Sequence, residues 1–406
     1  MRKIVQLLIL VAICTLLLSG CWNRRELNEL SISLAMGIDK EGDEFVVTHQ
    51  VVNPSEVAGS QGGGAGGAPV TLYQGKGKTV FQASRKITKE APRKIYAAHI
   101  RVLVIGEAFA KEGMAKALDF VSRGQEFRTD FHILLVRDGK AADALRVLTP
   151  LETIPANEIF DTLETSERAW SSAGTIQLDE LINDLVSKGR QPFLTGIQIM
   201  GNKPDGNETS NLEAIDVPTR ITVGNLAVFK GDKLIGWLSE DESKGHNYVT
   251  GRVTSTIIAL PCGKNGEQNS VAVELIRVKE KLKARMENGK PKIRVEIEGE
   301  GNVAEVECSE LDLSKTGTIT VLEKKTNENV EKRINQAIQV AQEKHKVDIF
   351  GFGDVVHRES PKYWKKVEDH WDEVFVGMET EVKVDIKLRR TGTVGDSFLN
   401  EMKKEK

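Results

Sequence analysis

The sequence predicts an α+β protein built of several mixed sheet-and-helix domains, the C-terminal one an antiparallel sheet covered by a long helix. Three observations carry this. Helical and extended hydrophobic patterns alternate between residues 79 and 200. Further on, Ile293, Val295 and Ile297 point one way while Lys292, Arg294, Glu296 and Glu298 point the other, and Val382, Val384, Ile386 and Leu388 repeat the alternation. Between these strands Val330, Ile334, Ile338 and Ala341 recur at three- or four-residue spacing, a stripe suited to the dry face of the sheet. Docking on a partner's helix is the alternative use of that stripe, and packing is preferred because the sheet needs a cover.

The N-terminus reads first as a leader. Arg2 and Lys3 precede an apolar run from Ile4 to Leu18, too short to span a bilayer comfortably. Leu18, Ser19 and Gly20 then lead into Cys21: small residues fit a peptidase groove, and the thiol is the nucleophile that can take a lipid thioether. This order resembles the lipobox of bacterial prolipoproteins. The resemblance implies a signal peptide over 1–20, diacylglyceryl transfer to Cys21, and a mature chain held on a membrane through that residue. Two acyl chains on one cysteine are what make such an anchor stable. An uncleaved membrane helix with an incidental cysteine is the competing reading.

After the leader, residues 21–205 read as an α/β region, expected as two subdomains. Runs at 31–38 and 44–52 around Gly42 read as a hairpin, followed by a flexible glycine-rich loop at 59–67. Next come a helix at 79–90, a strand at 100–105, a helix at 107–122, a strand at 131–136 and a helix at 141–148. Helices at 158–169 and 178–187 precede a strand at 193–200, and the polar stretch 201–207 reads as a seam. Residues 206–395 form the C-terminal α+β domain, in which Gly299 to Asn302 reads as the turn returning the chain antiparallel, and 396–406 a polar tail.

Composition narrows the function classes. Hydrophobic residues make up 40% of the chain, charged residues 28%, and the net charge is −3, so nothing favours nucleic-acid binding or polybasic membrane attachment. Cys262 and Cys308 could be bonded or remain two free buried thiols. His-Glu-x-x-His, Gly-x-Ser-x-Gly and paired cysteine-histidine spacings are all missing. The seven histidines, His49, His99, His132, His246, His345, His357 and His370, share no ligand spacing. Gly75 to Thr79 imitates the end of a phosphate loop, but the required first glycine would fall at Leu72; Thr79 is better read as a helix N-cap. No catalytic, metal or cofactor residue is assigned.

A set of short motifs carries a further resemblance. Gly20-Cys21-Trp22 with Arg25-Glu26-Leu27 leads to Gly37-Ile38-Asp39; Tyr96-Ala97-Ala98-His99 precedes Ile105-Gly106-Glu107; and Arg123-Gly124-Gln125-Glu126-Phe127-Arg128 follows. Then come Gly224 to Phe229 with Asp232 to Leu238, Asp348-Ile349-Phe350-Gly351-Phe352-Gly353, Pro361-Lys362-Tyr363-Trp364 with Trp371, and Thr391-Gly392. Together and in this order they resemble the Ger(x)C family, the lipoprotein C subunits of spore germinant receptors. The resemblance implies an α/β protein of several domains on the outer face of the spore inner membrane. It further implies work with membrane-embedded A and B subunits in nutrient-triggered germination, with no chemistry of its own and contact with the nutrient left open. Phe350, Phe352, Trp364 and Trp371 are the candidate partner surface, but closure of the domain core by the Trp364–Trp371 face is preferred over an exposed docking patch. Arg123 and Arg128 beside Glu126 are expected in local ion pairs rather than a ligand clamp. The alternative function is a solute-binding lipoprotein serving a transporter.

Overall fold

The computed structural model describes residues 1–7, 26–59, 67–262, 269–308, 311–313 and 315–390. Leu18 to Cys21, residues 60–66 of the glycine loop, Thr391-Gly392 and the tail from 396 lie outside the described residues. Among the described residues no helix is long and apolar enough to cross a membrane.

The first sheet has nine strands. β1 (Leu30–Glu41), β2 (Glu44–Val52) and β3 (Val70–Gly77) form an antiparallel meander, and the short β4 (Lys94–Tyr96) lies parallel to the start of β1. β5 (Val102–Ile105), β6 (His132–Val136) and β7 (Phe193–Met200) continue from β1 in parallel, and β8 (Arg220–Lys230) and β9 (Lys233–Trp237) close the sheet antiparallel. Every residue of β5 and β6 is buried, as central parallel strands covered on both faces must be. The expected seam at 201–207 falls between β7 and β8, which pair with each other, so this sheet runs across it as far as Trp237.

Helices cover both faces. In chain order they are α1 (Pro54–Gly59), α2 (Val80–Lys86), α3 (Glu107–Glu112), α4 (Ala115–Arg123), α5 (Ala141–Ala144), α6 (Pro155–Ala169) and α7 (Leu178–Val186). Thr79 caps α2, its hydroxyl accepting from Gln82 N at 3.0 Å. The neighbouring glycines serve packing: a Cβ on Gly75 would stand 2.0 Å from the Ala83 carbonyl oxygen, so β3 and α2 touch backbone to backbone. The single helix expected over 107–122 is broken at Gly113, whose φ of 124° no other residue adopts without strain. Met114 N and Ala115 N turn instead to the carbonyl and carboxylate of Asp232, in the β8–β9 turn.

The second sheet contains β10 (Thr256–Pro261), β11 (Ser270–Glu287), β12 (Lys290–Val306) and β13 (Glu379–Arg390), in that order. Two expectations are corrected here. The turn lies at Asn288-Gly289, where φ is 51° and 77°, the positive pair that a two-residue hairpin turn requires. Gly299 and Gly301 sit inside β12, where the register shifts and neighbours approach closely: a Cβ on Gly301 would stand 2.9 Å from the Glu274 carbonyl oxygen. β13 pairs with β12 in parallel, not antiparallel, because the chain crosses back through helices before re-entering the sheet. These are α8 (Glu240–Val249), which precedes the sheet, and α9 (Thr316–Val340), α10 (Phe352–Glu359), α11 (Pro361–Val367) and α12 (Trp371–Val376) in the crossover. On α9, Val330, Ile334 and Ile338 are buried as the stripe requires, each contributing about 2 kcal/mol by area.

One hydrophobic cluster joins Leu103 and Phe229 of the first sheet to Val295, Ile334 and Phe352 of the second region. A disulfide links Cys262, just after β10, to Cys308, just after β12.

Candidate functional site

The densest polar construction in the fold is the stretch from Asp348 to Gly353. Asp348 is fully buried, and its carboxylate is ringed by donors. Oδ1 accepts from the backbone N–H of Phe350 and Gly351, both at 3.0 Å, and Oδ2 from Gly353 N at 2.8 Å and Trp371 Nε1 at 2.9 Å. Burial pushes this carboxyl up to about 6, against the hydrogen bonds that pull it down. Such a carboxylate holds a loop in shape; its lone pairs are spent on internal donors.

The glycines of the motif are dictated by what lies outside the loop. Gly351 has φ 78°, and a Cβ there would stand 2.4 Å from the Arg190 guanidinium. A Cβ on Gly353 would meet Gly189 Cα at 2.5 Å. The loop therefore grips residues 187–191, between α7 and β7: Gln191 N donates to the Asp348 carbonyl at 2.7 Å and Ser187 Oγ to Asp354 Oδ1 at 3.2 Å. Arg190 lies 3.4 Å from Asp354 and 3.7 Å from Asp184.

The aromatic residues singled out from the sequence are all inside. Phe350, Phe352, Trp364 and Trp371 are at most 3% exposed, so they close the core and cannot form a partner surface. Phe350 stacks on Phe352 at 5.0 Å between centroids, and Trp364 meets Trp371 at 5.3 Å. His246 of α8 lies 5.5 Å from Phe350; its Nε2–H donates to the Ile349 carbonyl at 3.0 Å, and burial pushes the imidazole down to about 4. Sequence reasoning missed the role of Asp348, although an acid two residues before alternating aromatics and glycines was the available signal.

The ion-pair reading of the 123–128 segment holds, with other partners. Arg123 pairs with Asp119 at 2.9 Å, Arg128 with Asp130 at 2.8 Å, and Glu126 with Lys94. Among the described residues, no group of three or more His, Cys, Asp or Glu side chains is placed to hold a metal ion.

Comparison with known proteins matches both halves of the chain. Residues 23–199 match the family model described as spore germination protein N-terminal domain, and residues 224–392 the one described as spore germination B3/GerAC like, C-terminal. Spore germination protein KC of Bacillus subtilis (strain 168) is 33% identical over 403 residues, covering 98% of each chain. Spore germination protein B3 of the same organism is 25% identical over 399 residues, covering 96% of this chain and 98% of its own length. The crystal structure of the GerBC protein superposes with a TM-score of 0.52 at 20% identity, covering 87% of this chain and 96% of that one, a likeness of fold.

Proposed function

The chain belongs to the Ger(x)C family of spore germination proteins, and from that premise we propose that it is the lipid-anchored C subunit of a nutrient germinant receptor. In this reading Leu18, Ser19 and Gly20 guide cleavage, and diacylated Cys21 holds the folded body on the outer face of the spore inner membrane. There it serves with membrane-embedded A and B subunits, contributing assembly rather than catalysis. The observation that carries the reading is the match to spore germination protein KC along 98% of both chains. The sealed Asp348 loop supports it too, since the motif most characteristic of the resemblance is built to stabilise a fold.

A lipid tether acts by confinement. Restricting the chain to the membrane plane raises its effective concentration beside embedded partners without adding a contact. Cys21→Ala should leave the body folded, release it from the spore membrane fraction and impair nutrient-triggered germination. Spores carrying this variant at matched protein levels provide the measurement. Equal germination with equal membrane retention would sink the reading, and unimpaired germination with impaired solute uptake would instead favour a solute-binding lipoprotein.

A further inference from the structure

β11 outruns its neighbour. β10 pairs with it from Ser270 only to Leu275, because the chain just before β10 is drawn away toward α8: Arg252 N donates to the Asn247 carbonyl at 2.9 Å, and the Arg252 guanidinium to the Thr175 carbonyl at 2.8 Å. From Arg277 to Glu287, β12 holds one side of β11 and no strand among the described residues pairs with the other. Alternate residues therefore turn N–H and C=O groups toward a side with no ladder partner.

A groove of about 610 Å³ lies against this edge. Glu280, Lys281, Leu282 and Lys283 all line it. Neighbours in a strand face opposite ways, so the groove meets β11 side-on and not through either face. The opposite wall is one side of α10, where Gly351, Asp354, Val355 and Arg358 recur at helical spacing. A strand edge fronting a helix across a groove is a setting in which an extended peptide can add to a sheet, backbone to backbone.

Charge along the edge is of one sign. Arg277, Lys279, Lys281, Lys283 and Arg285 alternate onto one face of β11. Lys283 is held by Glu296 at 2.6 Å, while the other four make no ion pair among the described residues, in a chain whose net charge is −3. Of the β12 acids behind the row, Glu296 is taken by Lys283 and Glu300 by Arg389, leaving Glu298 opposite Lys279. Acids around the groove are engaged as well: Asp354 lies 3.4 Å from Arg190 and Glu359 3.8 Å from Arg358. Glu280 reaches toward Gly251, where an added Cβ would stand 2.5 Å from its carboxylate.

We propose that the β11 edge receives an extended acidic segment of a partner protein, added as a strand in the groove beside α10. Its Asp or Glu side chains, at alternate positions, come onto the face of the cation row, and the apolar residues between them face Leu282 and Val355. An anionic lipid headgroup would answer the charge but not the unpaired backbone, so a peptide strand is the occupant that this edge fits. Such binding is independent of the receptor reading, being measured on the purified full chain.

The test titrates that chain with three octapeptides: alternating Glu-Val, alternating Gln-Val, and Glu-Val N-methylated along its backbone. Glu-Val should bind and slow hydrogen exchange between Arg277 and Glu287. The uncharged and the N-methylated peptides should each bind at least about tenfold more weakly, since one lacks the cross-strand charge pairs and the other the backbone donors. Lys279→Gln combined with Lys281→Gln, both at exposed positions, should weaken Glu-Val binding about fivefold, with urea unfolding reporting that the fold is kept. Binding of none of the peptides, equal affinity for the N-methylated form, undiminished affinity of the folded double variant, or capture of the chain by phosphatidylglycerol vesicles without peptide binding would each overturn the proposal.

Discussion

At the scale of single residues, Asp348 organises more of the structure than any other side chain described. Four N–H groups from one loop and two helices converge on two oxygens, and that geometry needs two acceptors. Asp348→Asn keeps the size but turns one oxygen into an NH2 group, which faces at least one N–H donor whichever way the amide is turned. An unsatisfied buried donor costs roughly 1–3 kcal/mol. The variant should therefore lose about 2–4 kcal/mol in urea denaturation; a loss within about 0.5 kcal/mol would mean that the carboxylate is dispensable. The same residue explains why the glycine-aromatic motif has its spacing. Phe350 and Phe352 can stack only if the intervening backbone takes the left-handed turn at Gly351 that the carboxylate pins.

At the scale of elements, burial follows hydrophobic period where packing is local and departs from it where distant backbone decides. Ile334 on α9 is fully buried against the second sheet, so Ile334→Ala should cost about 3 kcal/mol, whereas the exposed Lys332→Ala should change stability by less than about 0.5 kcal/mol. Thermal or urea unfolding of the two variants separates a covering helix from a docking helix, since a helix that merely docked a partner would tolerate the first change. That stripe was legible, as were the first hairpin, the Thr79 cap and the central buried strands. The break between α3 and α4 was not, because Asp232, more than a hundred residues on, supplies the partners that draw the chain out of helix. Glycine misled in β12, where it permits close approach inside a strand, while the true turn signal, Asn288-Gly289, stood nearby. For the site, closure of the core was the preferred reading of the tryptophan face, and all four aromatic residues are buried; the ring of donors around Asp348 was not legible, because it forms only when Trp371, from a separate helix, converges on the loop.

At the scale of the whole molecule, cohesion comes from a hydrophobic cluster common to both sheets and from one covalent link. The Cys262–Cys308 disulfide spans 46 residues and ties the ends of β10 and β12, neighbours on either side of β11. Loop-closure entropy at that length amounts to about 4 kcal/mol. Reduction, or paired Cys262→Ser and Cys308→Ser substitution, should lower stability toward urea by up to that amount, and an unchanged unfolding midpoint would show that the link is energetically idle. A disulfide also suits an oxidising compartment, the setting in which the proposed receptor subunit would work.

The long β11–β12 hairpin reaches well beyond its neighbour β10. β10 accompanies β11 only as far as Leu275, so from Arg277 to Glu287 no strand among the described residues pairs with its outer side. Open strand edges invite edge-to-edge polymerisation. Along this one Arg277, Lys279, Lys281, Lys283 and Arg285 alternate onto a single face, so a second copy aligning there would bring cation against cation. Crowded side by side, these molecules would slide past one another instead of zipping into fibres.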